Sequence, residues 1–245
     1  MTTKRAFSLL EVLVSIAVVA VLMSLLLPAL VRARDAGYRT VCGHNLRQLF
    51  VGWDSFLAAN KESFPKADTQ PEWYYGGVDF PVGSDVPVLA ADRPIHRFIT
   101  QNSDRDVSQL TDIFRCPADR GVFRRGETIR GETPASVLPA GSCYKQYGNS
   151  YRANGMLMNS TLAGIDRRGR ALQASEIKSD LSRLLITGDS AWYYATRETG
   201  DAEHGLEAGW HRAKDSGNAL AADGSVRFID FASSEGASMT VTPRP

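Results

Sequence analysis

The sequence predicts an α+β protein in which one long N-terminal helix, membrane-spanning and then amphipathic, packs on an antiparallel β-sheet domain with long loops. Three observations carry this. An apolar run without a charge extends from Val12 to Val31. Between Leu46 and Leu57 apolar residues recur at spacings of three and four. Beyond Phe64 short apolar runs alternate with turn residues, and Asp223-Gly224 stands between two of them.

The apolar run comes first. Val12 to Val31 is twenty residues, interrupted only by Ser15, Ser24 and Pro28. At about 1.5 Å per residue it spans roughly 30 Å, the thickness of a bilayer's hydrocarbon core. A cleaved secretory signal would have a shorter apolar region and a small-residue cleavage site after it; Val31-Arg32-Ala33-Arg34 follows instead. Glu11 lies just ahead of the run. A carboxylate in hydrocarbon costs roughly 2.5–3.5 kcal/mol at a helix centre and less toward an end, so Glu11 calls for a compensating charge. The plainer alternative is that it snorkels to the interface of a monomeric anchor.

The helix is expected to continue to about Asn60, because Leu46, Leu49, Phe50, Trp53, Phe56 and Leu57 line one face. Pro28 predicts a kink, and Gly37, Gly43 and Gly52 weaken the helix beyond it. Ser182 to Thr187 reads as a buried strand ending at Gly188-Asp189. Asp223-Gly224 between Ala219–Ala222 and Ser225–Phe231 predicts a hairpin with a type I′ turn, which needs positive φ at both central residues. Gly76-Gly77, Gly121, Gly126, Gly131 and Gly141 mark long loops. The expected division is 1–6, a short basic segment; 7–31, the spanning helix; 32–60, its amphipathic continuation; and 61–245, the sheet domain, enough chain for one core.

Charge and cysteines narrow the function. The formal charge of +1 gives no electrostatic footprint for nucleic acid. In an extracytoplasmic domain three cysteines would permit one disulfide and leave one thiol over. Cys116 with Cys143 closes the shortest loop and is the favoured pair; Cys42 with Cys116 and Cys42 with Cys143 are the others, and Cys42 on the helix is equally explained as a small packed hydrophobe. No Cys-x-x-Cys and no His-x-x-x-His occurs, so spacing offers no zinc site and no catalytic metal. A hydrolase would need His211 as base, an aspartate to orient it and a nucleophile such as Ser190, but no Gly-x-Ser-x-Gly surrounds Ser190. His211 reads instead as a structural histidine, and no catalytic residue is assigned.

Lys4-Arg5-Ala6-Phe7-Ser8-Leu9-Leu10-Glu11 followed by the spanning run resembles the processing site of type IV pilins and type II secretion pseudopilins. The resemblance implies cleavage between Ala6 and Phe7, removal of the basic leader with Lys4 and Arg5, N-methylation of Phe7, and Glu11 as the assembly carboxylate. Ala6 stands where the family usually carries Gly. Processing would leave 26 basic against 27 acidic side chains, 28 less Lys4 and Arg5. The new amino group of Phe7 is a positive charge that Glu11 of a neighbouring subunit can neutralise, setting axial register in a helical filament. Charges flank both ends of the run, so orientation follows from the resemblance: leader in the cytoplasm, single pass through the bacterial inner membrane, large domain periplasmic or extracellular. Implied partners are other pilin or pseudopilin subunits, a prepilin peptidase, an assembly ATPase, a membrane platform protein and membrane lipid.

A second resemblance spans the remainder intermittently. Cys42-Gly43-His44-Asn45-Leu46-Arg47-Gln48-Leu49, Arg115-Cys116-Pro117-Ala118-Asp119, Tyr147-Gly148-Asn149-Ser150-Tyr151 and His211 through Asp223-Gly224 look like a pseudopilin-like subfamily marked by His, nine residues, then Asp-Gly. Here eleven residues separate His211 from Asp223. Major pseudopilins bind calcium in a C-terminal loop, and Asp119, Asp189, Asp215 and Asp223 are the candidate oxygen donors, although the family's calcium loop is not recognisable and no cofactor is otherwise expected. The resulting expectation is a pilus or pseudopilus subunit without catalysis. The alternatives are a membrane-anchored binding module, using loops between about 65 and 180 and the aromatics Trp73-Tyr74-Tyr75, and an anchored hydrolase using His211.

Overall fold

The computed structural model of the chain describes residues 9–67, 71–79, 89–100, 112–121, 142–158, 171–189, 192, 210–212 and 216–243. The chain divides into two units, Met1–Gly37 and Tyr38–Pro245. A single helix, α1, runs over Leu9–Ala59 and contains Pro28. In the first unit its apolar side chains, among them Leu13, Ile16, Leu22, Leu26 and Leu30, are exposed, and the most apolar stretch has a mean hydropathy of 2.7.

In the second unit the same helix becomes one-sided. Cys42, Leu46, Leu49, Trp53 and Phe56 are buried, alternating steps of four and three, while Phe50 and Leu57 pack at the margins. This is the stripe that a 3.6-residue repeat requires of a helix lying on a core. Gly52 is part of the fit, because a Cβ there would come within 2.8 Å of the Ile99 side chain.

The stripe faces a four-stranded sheet of order β1-β2-β3-β4, antiparallel throughout: β1 Arg152–Ala153, β2 Leu185–Gly188, β3 Ser216–Ala221 and β4 Val226–Asp230. Leu184, Ile186 and Leu220 join the α1 stripe in one core, whereas Leu185, Ala219 and Ile229 pack with Trp192, Phe231 and Met239 in a second. Strand β3 is buried along its length, so it is built of the small and uncharged residues Ser-Gly-Asn-Ala-Leu-Ala. The register shifts between Leu185 and Thr187, and the Trp53 indole N–H donates to the Thr187 hydroxyl at 3.1 Å. The fold is α+β and pilin-like.

Three expectations are corrected. The hairpin at Asp223-Gly224 forms, but not through a type I′ turn: only Gly224 has positive φ, 85°. Gly224 N donates to Ala221 O and Ala221 N to Ser225 O, a three-residue connection whose left-handed position falls on the glycine. Asp223 instead accepts from the Ser225 amide and hydroxyl. Gly224 is also pressed on α1, since a Cβ would meet the Phe50 ring at 2.7 Å.

The disulfide joins Cys42 to Cys116, with Cα atoms 5.3 Å apart, and not Cys116 to Cys143. Closure entropy grows only slowly with loop length, so loop length could not decide the pair. Folded geometry does. Cys42 sits in the buried stripe facing Cys116, while Cys143 is a buried thiol at the start of the one-turn helix Cys143–Tyr147, its amide donating to Asp119.

Of the aromatics Trp73-Tyr74-Tyr75, the first and last are core rather than a binding surface, and Tyr74 packs half-buried at the core's margin. Trp73 and Tyr75 are buried. Trp73 stacks on Tyr147 at 4.3 Å and Tyr75 on Trp53 at 5.3 Å. Beside them a buried Arg93 donates to the carbonyls of Trp73, Gly76 and Tyr147, fastening strandless segments together. Desolvation lowers its pKa to about 10.

Candidate functional site

Two features can carry function. The first is the N-terminal segment. Lys4, Arg5, Ala6 and Phe7 lie outside the described residues. Glu11 occupies the first turn of α1, where a carboxylate is favoured by the helix dipole. Its main-chain carbonyl accepts from the Ser15 hydroxyl at 2.7 Å. The apolar surface that follows is exposed around the helix, which suits lipid or the equivalent helix of another subunit.

The second feature is a buried polar cluster in the larger unit. It is assembled from four separate segments. Cys42 comes from α1, Cys116 follows the 3-10 turn Asp112–Phe114, Asp189 caps the end of β2, and His211 lies in the turn Trp210–Arg212 ahead of β3. Asp189 is fixed by Asn218 on β3. The Asn218 amide and side chain both donate to Asp189 Oδ2, at 2.7 and 3.0 Å, and Asp189 N donates back to Asn218 O at 2.8 Å. His211 Nε2 stands 3.2 Å from the same Oδ2 and 3.7 Å from Cys116 Sγ.

His211 adopts a left-handed backbone, φ 59° and ψ 20°, which a non-glycine residue enters at a cost of roughly 1–2 kcal/mol. The surroundings hold it there. Arg39 Nη2 donates to the His211 carbonyl at 3.1 Å and its guanidinium lies over the Phe228 ring, which meets the His211 ring edge-on. Nearby, Asn45 Nδ2 donates to the Tyr151 hydroxyl. Burial, aided by the charge of Asp189, pushes the Tyr151 phenol above its ordinary pKa. The His211 and Asp189 side chains are 0% and 1% exposed, so in this conformation no substrate reaches the imidazole.

The sequence-predicted residues therefore separate. His211 meets Asp189 rather than Asp223, which serves the hairpin turn. Asp119 accepts from Gly121 N, Cys143 N, Tyr144 N and the Ser150 hydroxyl; burial nonetheless raises its pKa. Asp215 and Ser190 lie outside the described residues. Among the described residues, Asp119, Asp189 and Asp223 form no common ligand group; the group that does form is Cys42, Cys116, Asp189 and His211. Cys42 is legible in the sequence as a candidate disulfide partner, whereas Asn218 has no signal beyond an isolated Asn within an apolar strand.

Residues 1–27 match the family model of the prokaryotic N-terminal methylation motif, consistent with a type IV pilin or pseudopilin. No curated protein and no solved structure gave a significant match. The matched motif supports a pilin-like protein processed by a prepilin peptidase, and α1 is long and apolar enough to anchor it in a membrane.

Proposed function

We propose that the chain is a subunit of a type II secretion pseudopilus or a type IV pilus-like filament. It is cut between Ala6 and Phe7, N-methylated on Phe7 and assembled through α1. The observation that carries this reading is the methylation motif over residues 1–27 running directly into an exposed spanning helix. The leader faces the cytoplasm and the larger unit the periplasm or exterior of a bacterial inner membrane. An assembly ATPase and a platform protein drive subunits out of the bilayer, and Glu11 pairs with the Phe7 amino group of the next subunit, each charge compensating the other in a low-dielectric setting.

Intact-mass and N-terminal peptide mass spectrometry on protein from host membranes tests processing; the expected first residue is N-methyl-Phe7. A Glu11→Ala chain is expected to insert normally and yield no fibres by electron microscopy. Unprocessed protein starting at Met1 or Thr2, or normal fibres from the variant, would overturn the proposal.

A further inference from the structure

We propose that Cys42, Cys116, Asp189 and His211 form a closed four-ligand site for a divalent, thiolate-preferring metal ion, zinc fitting best, so that the disulfide and the metal are alternative occupants of one position. The argument begins with the donor set. Two sulfurs, one imidazole nitrogen and one carboxylate oxygen are a ligand combination that zinc accepts, and all four residues are buried, as structural sites are.

Geometry follows. One ligand atom from each residue lies within 4.8 Å of every other. A tetrahedral ion with bonds of about 2.3 Å to sulfur and about 2.0–2.1 Å to nitrogen and oxygen needs sulfur–nitrogen separations of about 3.6 Å and nitrogen–oxygen separations of about 3.4 Å. Cys116 Sγ stands 3.7 Å from His211 Nε2, and the Asp189 carboxylate reaches the same nitrogen at 3.2 Å through Oδ2, the oxygen that Asn218 already holds. The two bonded sulfurs must part to about 3.8 Å.

A disulfide beside a hydrogen-bonded His–Asp pair leaves something unexplained. Asp189 Oδ1 is buried with no hydrogen-bond partner among the described residues, although burying an unsatisfied polar atom costs about 1–3 kcal/mol. Asn218 occupies Oδ2 twice and so leaves Oδ1 its lone pairs. Charge is consistent too: two thiolates, a carboxylate and a neutral imidazole around a divalent ion sum to −1, and Arg39 is held against the His211 carbonyl.

The exchange balances. A dithiol reductant delivers two electrons and two protons to the Cys42–Cys116 bond, becoming a disulfide itself and leaving two thiols. The ion displaces those two thiol protons, and the imidazole proton resides on Nδ1 while Nε2 binds. Thiolate binding makes uptake proton-releasing.

The test uses the full chain in detergent, treated with dithiothreitol without oxygen, then with zinc or cobalt(II), and desalted. The expected result is one zinc per reduced chain by plasma mass spectrometry, none per oxidised chain, and a cobalt visible spectrum with thiolate charge-transfer and tetrahedral bands. Cys143→Ser should keep the stoichiometry. His211→Ala should weaken zinc binding beyond the about 10–100-fold that loss of an outer-shell group costs, and Cys42→Ser with Cys116→Ser should abolish it. No zinc on the reduced wild-type chain, equal zinc on the oxidised chain, or zinc retained by the double serine variant would each overturn the proposal. The first two need no mutant to fold.

Discussion

Replacing Cys42 and Cys116 together by alanine removes the covalent link between α1 and the segment after the Asp112–Phe114 turn. The link closes a sequence separation of 74 residues. In the chain-entropy treatment, a loop of that length restricts the unfolded ensemble by about 15 cal/mol/K, or about 4.5 kcal/mol at 25 °C. That loss is expected in urea unfolding of the full chain in detergent, measured against the oxidised wild-type chain. For a chain of this size it corresponds to a fall of roughly 9–18 °C in Tm. Because the effect resides in the unfolded state, the near-ultraviolet circular dichroism of the folded variant, dominated by buried Trp53, Trp73, Trp192 and Trp210, should be unchanged. A loss below about 1 kcal/mol with that spectrum retained would refute the reasoning, since the bond would then constrain nothing that the unfolded chain explores.

Trp53→Ala should cost about 3–5 kcal/mol in the same assay, because the ring is fully buried, stacks on Tyr75 and contacts Phe64; a cost under 1 kcal/mol would mean that the stripe does not hold α1 to the sheet. Burial lowers the pKa of His96 below its ordinary value of 6.5. The unfolded chain therefore binds more protons in that window, and the contribution of His96 to stability is complete above 6.5 and is lost as pH falls through the lowered value. His96→Phe, which keeps a ring parallel to Phe114, should flatten the decline in stability between pH 7 and 5; identical slopes for the two proteins would count against this assignment.

The sequence made the local features readable and left the assembled ones hidden. Leu46, Leu49, Trp53 and Phe56 announce a helix face because the helical repeat is a property of neighbouring residues. Asp223-Gly224 announces a hairpin for the same reason, although the turn class depended on which residue took the left-handed position, and the contact of Gly224 with Phe50 is invisible from either segment alone. The cluster around His211 is of the second kind. Its members stand at 42, 116, 189, 211 and 218, and no spacing rule connects them; Cys-x-x-Cys and His-x-x-x-His capture only ligands offered by one turn. Trp73 and Tyr75 misled in the opposite direction. Three adjacent aromatics in a loop-rich stretch look like a ligand platform, yet among the described residues the strands are short and large rings fill the core.

The position of Cys42 gains meaning if α1 is the element that filaments hold. In the proposed filament, subunits assembled through the apolar run would carry axial load along α1, and the grip on Tyr38–Ala59 would pass it to the larger unit. Hydrophobic burial is non-directional, so a stripe sliding along a sheet loses its contacts gradually. The Trp53–Thr187 hydrogen bond resists that slide by only about 1 kcal/mol net. The Cys42 bond is different in kind: it ties the first buried turn of the stripe to Cys116 at a fixed distance. A metal at the same four residues would preserve the tie in a reducing setting and extend it to Asp189 at the end of β2 and His211 ahead of β3. The cross-link would then persist whichever occupant the redox state selects, with both sulfurs beside an imidazole and a carboxylate.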